Sequence, residues 1–174
     1  PLLLMFDFGL TPACLVGQVG EAGQLYILRE MFDDDNGLKQ FLDEQVCPML
    51  TSEDFRGMPV RAVCDPAGMQ RKTATASSRE AVSSTLTPVN EILRHGINVM
   101  PAKTNDFSSR KAAVDRLLTR LTTGGTPALL IDKKCTRLIK GFISGYFFKR
   151  KTGYNDLYRD VPEKNKYSHV HDAL

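Results

Sequence analysis

The chain has 174 residues, enough for one compact domain and short for two. Apolar residues make up 42% and charged residues 25%, which excludes wholesale disorder, and the longest apolar runs fall far below the ~20 residues of a membrane span. A net charge of +3 is too small by itself to prove a polyanion partner, so that question turns on where the charges lie.

Leu2 to Phe8 opens the chain as a buried strand that meets Asp7, without the basic leader of a signal peptide. Ala13 to Val19 and Gln24 to Phe32 follow as two strands joined through Gly20 to Gly23, which predicts an antiparallel meander. Asp33-Asp34-Asp35 lacks calcium-loop spacing and reads as a solvated turn. Leu38, Phe41, Leu42, Val46 and Met49 recur at helical spacing. Pro59 to Cys64 is a short strand that delivers Asp65 at its end. A strand reached through a helix requires a crossover, so it is expected beside and parallel to the first.

Ala67 to Thr87 is rich in Ser, Thr and basic residues and reads as a loop with short helical turns. Pro88 to His95 is a helix stopped by Gly96, with His95 exposed in its last turn, and Ile97 to Met100 a short strand. Ser108 to Leu121 is the clearest helix, with Ala112, Val114, Leu117, Leu118 and Leu121 apolar. Ala128 to Ile131 reads as a strand and Lys133 to Phe142 as a helix. Tyr146 to Lys149 pairs with Tyr154 to Tyr158 around Thr152-Gly153, and Ser168 caps a final helix beginning near His169. This order describes an α/β protein, a mixed sheet with helices on its faces.

An acid ends each of two buried strands. If Asp7 and Asp65 stand on parallel neighbours, both emerge at the edge where open α/β sheets bind ligands. A buried carboxylate needs a compensating partner, and a hard divalent cation is one. Turn-capping is the better account of either Asp alone, and two of them on matching strands make it less attractive. Asp172, in the first turns of the last helix, is favoured there by the helix dipole. His169 and His171, two apart, fall on different helical faces and make a poor zinc pair. No phosphate-binding Gly-rich loop and no nucleophile elbow occurs. The four cysteines are widely spaced and read as small core residues. Cations cluster as Arg71, Lys72 and Arg79, and again from Lys133 to Lys151, where Tyr146-Phe147-Phe148 precedes Lys149-Arg150-Lys151. Such clusters suit phosphate contacts or a plain solvated surface.

Several segments carry a family resemblance: Asp7-Phe8-Gly9-Leu10-Thr11-Pro12-Ala13 with Gly17-Gln18, Cys64-Asp65-Pro66-Ala67-Gly68, and Gly96-Ile97-Asn98-Val99 with Pro101-Ala102. Thr104-Asn105, Arg110, Pro127-Ala128, Ile131-Asp132 and Cys135 with Leu138-Ile139-Lys140-Gly141 continue it, and Lys164-Asn165-Lys166-Tyr167-Ser168-His169-Val170-His171-Asp172-Ala173-Leu174 closes it. In order and spacing the chain resembles the nuclease domain of tailed-bacteriophage terminase large subunits. The resemblance implies a ribonuclease H-like fold with an added β-hairpin, a single nuclease domain over residues 1–174, and an ATPase domain elsewhere in a longer protein. The start at Pro1 and the stop at Leu174 are what an excised domain would give.

The resemblance further implies a metal-dependent endonuclease acting on double-stranded concatemeric DNA during viral genome packaging, in the cytoplasm of the infected host. Asp7, Asp65 and Asp172 become the catalytic carboxylates, holding two Mg²⁺ or Mn²⁺ ions with Asp7 bridging them, and His171 a further metal-site side chain. Arg71, Lys72, Arg79, Lys149, Arg150 and Lys151 become DNA contacts. The terminase small subunit and the portal protein are the implied partners, with no membrane. A Holliday-junction resolvase-like nuclease and a DNA-clamping or portal-docking module are the alternatives.

Overall fold

The computed structural model describes residues 1–9, 11–69, 87–153 and 157–174. Six strands form one sheet: β1 (Leu2–Phe8), β2 (Pro12–Val19), β3 (Leu25–Phe32), β4 (Val60–Cys64), β5 (Val99–Pro101) and β6 (Leu129–Ile131), in the order β5-β4-β1-β2-β3-β6. β1, β2 and β3 make the antiparallel meander, with Phe6 opposite Cys14. β4 lies parallel to β1 with Phe6 beside Cys64, as the crossover demanded, and β5 and β6 also join as parallel neighbours. Every strand except β2 therefore runs in one direction. Their carboxyl ends share one edge.

Leu2, Leu4 and Phe6 alternate into a core on one face of the sheet, against α1 (residues 38–51) and α2 (Pro88–Arg94). α1 widens by one residue per turn over Leu42–Val46 and continues through Cys47–Thr51. The other face, with Ala13, Leu15, Ile27 and Leu129, receives α4 (residues 136–145) and α5 (Ser168–Ala173) through Leu138 and Val170. Each fully buried Leu, Ile or Phe contributes about 1.5–3 kcal/mol, so the two faces rather than the short helices hold the domain together. Cys14, Cys64 and Cys135 are buried and Cys47 half-buried, all as free thiols, consistent with a packing role.

Several elements depart from the sequence pattern. α3 (Phe107–Thr119) is capped by Asp106, whose carboxylate accepts from the Ser109 amide at 2.7 Å, but buries none of its residues. Leu118 and Leu121 are exposed, because the sheet face beneath is already covered by α4 and α5. α4 starts three residues later than expected. The Asp132 carboxylate accepts from the Lys134 amide, and β3's Glu30 then accepts from the Arg137 and Leu138 amides at 2.7 and 2.8 Å, capping the helix in place of a local residue.

Asp33 is not solvated. It is 8% exposed and accepts bonds from the Asp35 and Asn36 amides and from Gln45. His95 is also withdrawn from solvent, lying between the Glu91 carbonyl and the Asp43 carboxylate. Burial pulls its pKa down, yet those two acceptors outweigh burial and leave it raised above 6.5. The hairpin expected after Tyr146 is present as cross-links between Lys151 and Leu157 and between Arg159 and Lys149, around Gly153 at φ +87°. Its residues 154–156, and most of the expected loop from Ala67 to Thr87, lie outside the described residues.

Candidate active site

β1 carries Asp7 on the face opposite Phe6, under α5. Its side chain is only 14% exposed, and its Oδ2 meets Nδ1 of His169 at 2.9 Å. Burial raises the Asp7 pKa, and the nearby charge of Asp172 raises it further against the opposing His169 hydrogen bond. Asp65 follows Cys64, the residue paired with Phe6, so its backbone stands beside that of Asp7 at the carboxyl edge. Its Oδ1 accepts from the Ala67 amide at 2.7 Å and caps the short 3₁₀ turn Pro66–Met69.

Asp172 arrives on α5. That helix is only six residues long, so Asp172 lies in its last turn, where the dipole disfavours an anion and does not help it. Side chains supply the compensation. Arg110 at the start of α3 donates to Oδ1 at 3.1 Å and to the Asp172 carbonyl at 2.9 Å, Tyr146 donates its hydroxyl to Oδ1 at 3.0 Å, and Lys164 pairs with Oδ2. Burial, then the Asp172 charge, pushes the Tyr146 phenol up, so it stays a donor.

Glycines fix how closely α5 can approach. A Cβ on Gly9 would come within 2.8 Å of the His169 ring and one on Gly145 within 2.5 Å of the Tyr167 ring, while one on Gly141 would collide with His171. Ser168 does not cap α5 as expected. It is buried, its Oγ accepts from the Asn165 amide and donates to the Glu163 carbonyl, and Tyr167 takes the cap position.

His171 does not face the carboxylates. Its Nε2 donates to the Leu138 carbonyl at 3.1 Å, and its ring stacks on Tyr146 and meets Phe142 edge-on. Burial lowers its pKa and keeps it neutral. The histidine on Asp7 is His169, which the sequence offered only as half of a poor zinc pair. Spacing held the signal: His169 and Asp172, three apart, share a helical face, whereas His171 turns away.

The structure thus brings Asp7, His169 and Asp172 together, with Asp65 beside Asp7 on the next strand. Lys149, Arg150 and Lys151 stand apart on the exposed hairpin. Lys149 pairs with Glu163 at 3.3 Å, Lys151 with Asp160 at 3.9 Å, and Arg150 lies over the Tyr158 ring. Arg71, Lys72 and Arg79 lie outside the described residues.

Three carboxylates from separate elements are the oxygen donors that Mg²⁺ and Mn²⁺ prefer, and the charge of Asp172 lies near enough to oppose that of Asp7. The donor chemistry fits. Among the described residues no three His, Cys, Asp or Glu side chains close around one point, because Asp65 is drawn to Ala67 and Asp172 to Lys164 and Arg110.

No protein-family model matches this sequence, and no curated protein matches it. Among solved structures, the nuclease domain of the P22 large terminase is similar over 99% of this chain and 76% of its own, with a TM-score of 0.57 and 13% identity. The yeast mitochondrial Holliday junction resolvase Ydc2 aligns with 83% of this chain and 71% of its own (TM-score 0.43, 14% identity). RuvC of Thermus thermophilus aligns with 99% and 89% (TM-score 0.39, 14% identity). The P22 likeness and the strand order establish the fold as ribonuclease H-like, a mixed six-stranded sheet flanked by helices.

Proposed function

We propose that the chain is a divalent-metal-dependent endonuclease that cuts double-stranded DNA with little regard to sequence, as the nuclease part of a viral genome-packaging terminase. One observation carries the reading. Asp7 and Asp172 come together across 165 positions of sequence at the carboxyl edge of a ribonuclease H-like sheet, next to Asp65. Capping needs would not bring acids from three separate elements to one edge of the sheet, since each could be met locally.

Asp7, Asp65 and Asp172 would hold Mg²⁺ or Mn²⁺, two ions in the full site, which supply the acidity that activates a water and the charge that offsets the departing 3′ oxygen. The chain's own groups prepare that site. His169 fixes Oδ2 of Asp7, and Tyr146 with Arg110 fixes Oδ1 of Asp172. The low exposure of both carboxylates excludes water and strengthens each electrostatic contact.

Lys149, Arg150 and Lys151, with Arg71, Lys72 and Arg79, would grip backbone phosphates without reading bases. Lys149 and Lys151 must first exchange their acid partners, exposed pairs worth about 0–1 kcal/mol each, so the exchange is easy. The small subunit, the portal and an ATPase domain belong to the same proposal as its partners.

Plasmid cleavage tests it. Supercoiled DNA incubated with the chain should pass to nicked and then linear forms in Mn²⁺ or Mg²⁺ and stay supercoiled in EDTA. Cleavage that persists in EDTA, or none with any divalent ion, contradicts the reading.

A further inference from the structure

Asp172 is held by two cations of unlike character. Arg110 makes three bonds, to the Asp172 carboxylate, to its carbonyl and to Asn105, and is 30% exposed. It is built into the wall. Lys164 makes one contact, to Oδ2, and its side chain is 73% exposed at the end of a flexible stem, on the segment that follows the hairpin. With Arg110 and Tyr146 on Oδ1, Oδ2 is the oxygen that Asp172 has left to offer an ion.

We propose that Lys164 couples metal loading to DNA: its ammonium occupies Oδ2 of Asp172 while the site is free and moves to a backbone phosphate when the duplex arrives, opening Oδ2 to the divalent ion. This rests on the metal-dependent reading above. An ammonium and a divalent cation repel each other at such close range, so they compete for one carboxylate oxygen. Asp172 is 7% exposed, and stripping a buried anion of its partner is costly, so Lys164 leaves only in exchange for another cation. An ammonium is a compact point charge with three rotatable donors, suited to a phosphate met at variable angle. Anything that gives Lys164 a new partner raises metal affinity. By linkage the metal raises DNA affinity by the same factor.

Mn²⁺ binding, followed by the EPR signal of the free ion with and without a short blunt duplex, tests the coupling; uptake by the duplex alone is subtracted. The duplex should tighten Mn²⁺ binding to the unaltered chain about 5-fold or more, the lower range of ordinary coupling. Lys164→Met should bind Mn²⁺ more tightly than the unaltered chain when DNA is absent, and gain nothing further from the duplex. Lys164→Arg should keep the coupling. The proposal is overturned if Lys164→Met binds Mn²⁺ no better than the unaltered chain, or if the duplex tightens both equally. In that case intact Mn²⁺ binding and cleavage leave the nuclease reading standing. If no variant binds Mn²⁺ at all, that reading fails and takes this one with it. Lys164 is exposed, and in each variant Arg110 and Tyr146 still hold the Asp172 carboxylate, so the fold is retained.

Discussion

Asp7→Asn is expected to slow plasmid cleavage by at least about 100-fold, the order lost when one preorganised charge is removed from a reacting centre, and to make the protein more stable at neutral pH. The two effects share one cause. Burial and the charge of Asp172 raise the Asp7 pKa in the fold, so the ionised carboxylate is held where the fold disfavours it. A raised acid pKa contributes stability that is fully present below the unfolded value and lost as pH rises through the folded one. Above both values the charged form costs stability, and Asn removes that cost while still accepting from His169. A gain of about 1 kcal/mol, an ordinary size for relieving a strained functional group, raises the melting temperature of a domain this size by roughly 2–4 °C.

Melting curves of the two proteins should therefore converge as pH falls through the Asp7 pKa and separate above it. An Asn variant that cuts at full rate, or one that is less stable at neutral pH, argues against a charge held for function. The asymmetry is informative because structural carboxylates behave the other way: Asp43 and Asp106, whose side chains accept hydrogen bonds that hold their pKa values down, should destabilise when neutralised.

Gly141→Ala should both destabilise the protein and impair cleavage, although Gly141 touches neither Asp7 nor Asp172. In an open helix position the change gains about 1 kcal/mol in propensity. At Gly141 the new methyl would enter the space of the His171 imidazole. Overpacking of this kind costs about 1–3 kcal/mol. Displacing the ring also breaks its bond to the Leu138 carbonyl and its stack on Tyr146. Asp172 is the next residue, and Tyr146 is one of its donors, so the damage reaches the carboxylate directly.

The expected result is a fall in melting temperature of roughly 2–10 °C and a loss of cutting rate larger than the stability change explains. Gly124→Ala serves as the control, since nothing lies within 4 Å of a Cβ there. Equal behaviour of the two variants would remove His171 as the prop of the last helix.

How far the sequence could be read follows from how local each signal was. Asp7 and Asp65 were legible because each ends an apolar run, and the helix between the strands implied that they run parallel. The structure adds the register, Phe6 beside Cys64. Asp172 was different. Nothing within its own helix separates it from an ordinary helical acid, and only the order of motifs along the whole chain singled it out.

The partners of these acids were illegible for a related reason. His169 meets Asp7 across 162 positions and Arg110 meets Asp172 across 62, and no local pattern encodes such distances. His171 was set above His169 only by the family resemblance, in which the residue before the last acid joins the metal site, yet adjacency along a helix turns side chains apart. α3 misled in the opposite sense. Its apolar stripe is genuine, but the sheet face it might have covered is filled by α4 and α5, so Leu118 and Leu121 remain exposed.

A crystal soaked in Mn²⁺ and recorded at the manganese absorption edge tests most directly whether these acids form one metal centre. Anomalous peaks are expected among Asp7, Asp65 and Asp172, with Asp65 turned from Ala67 and Asp172 parted from Lys164. A map without peaks there at saturating Mn²⁺, with both side chains still on their present partners, would contradict the account.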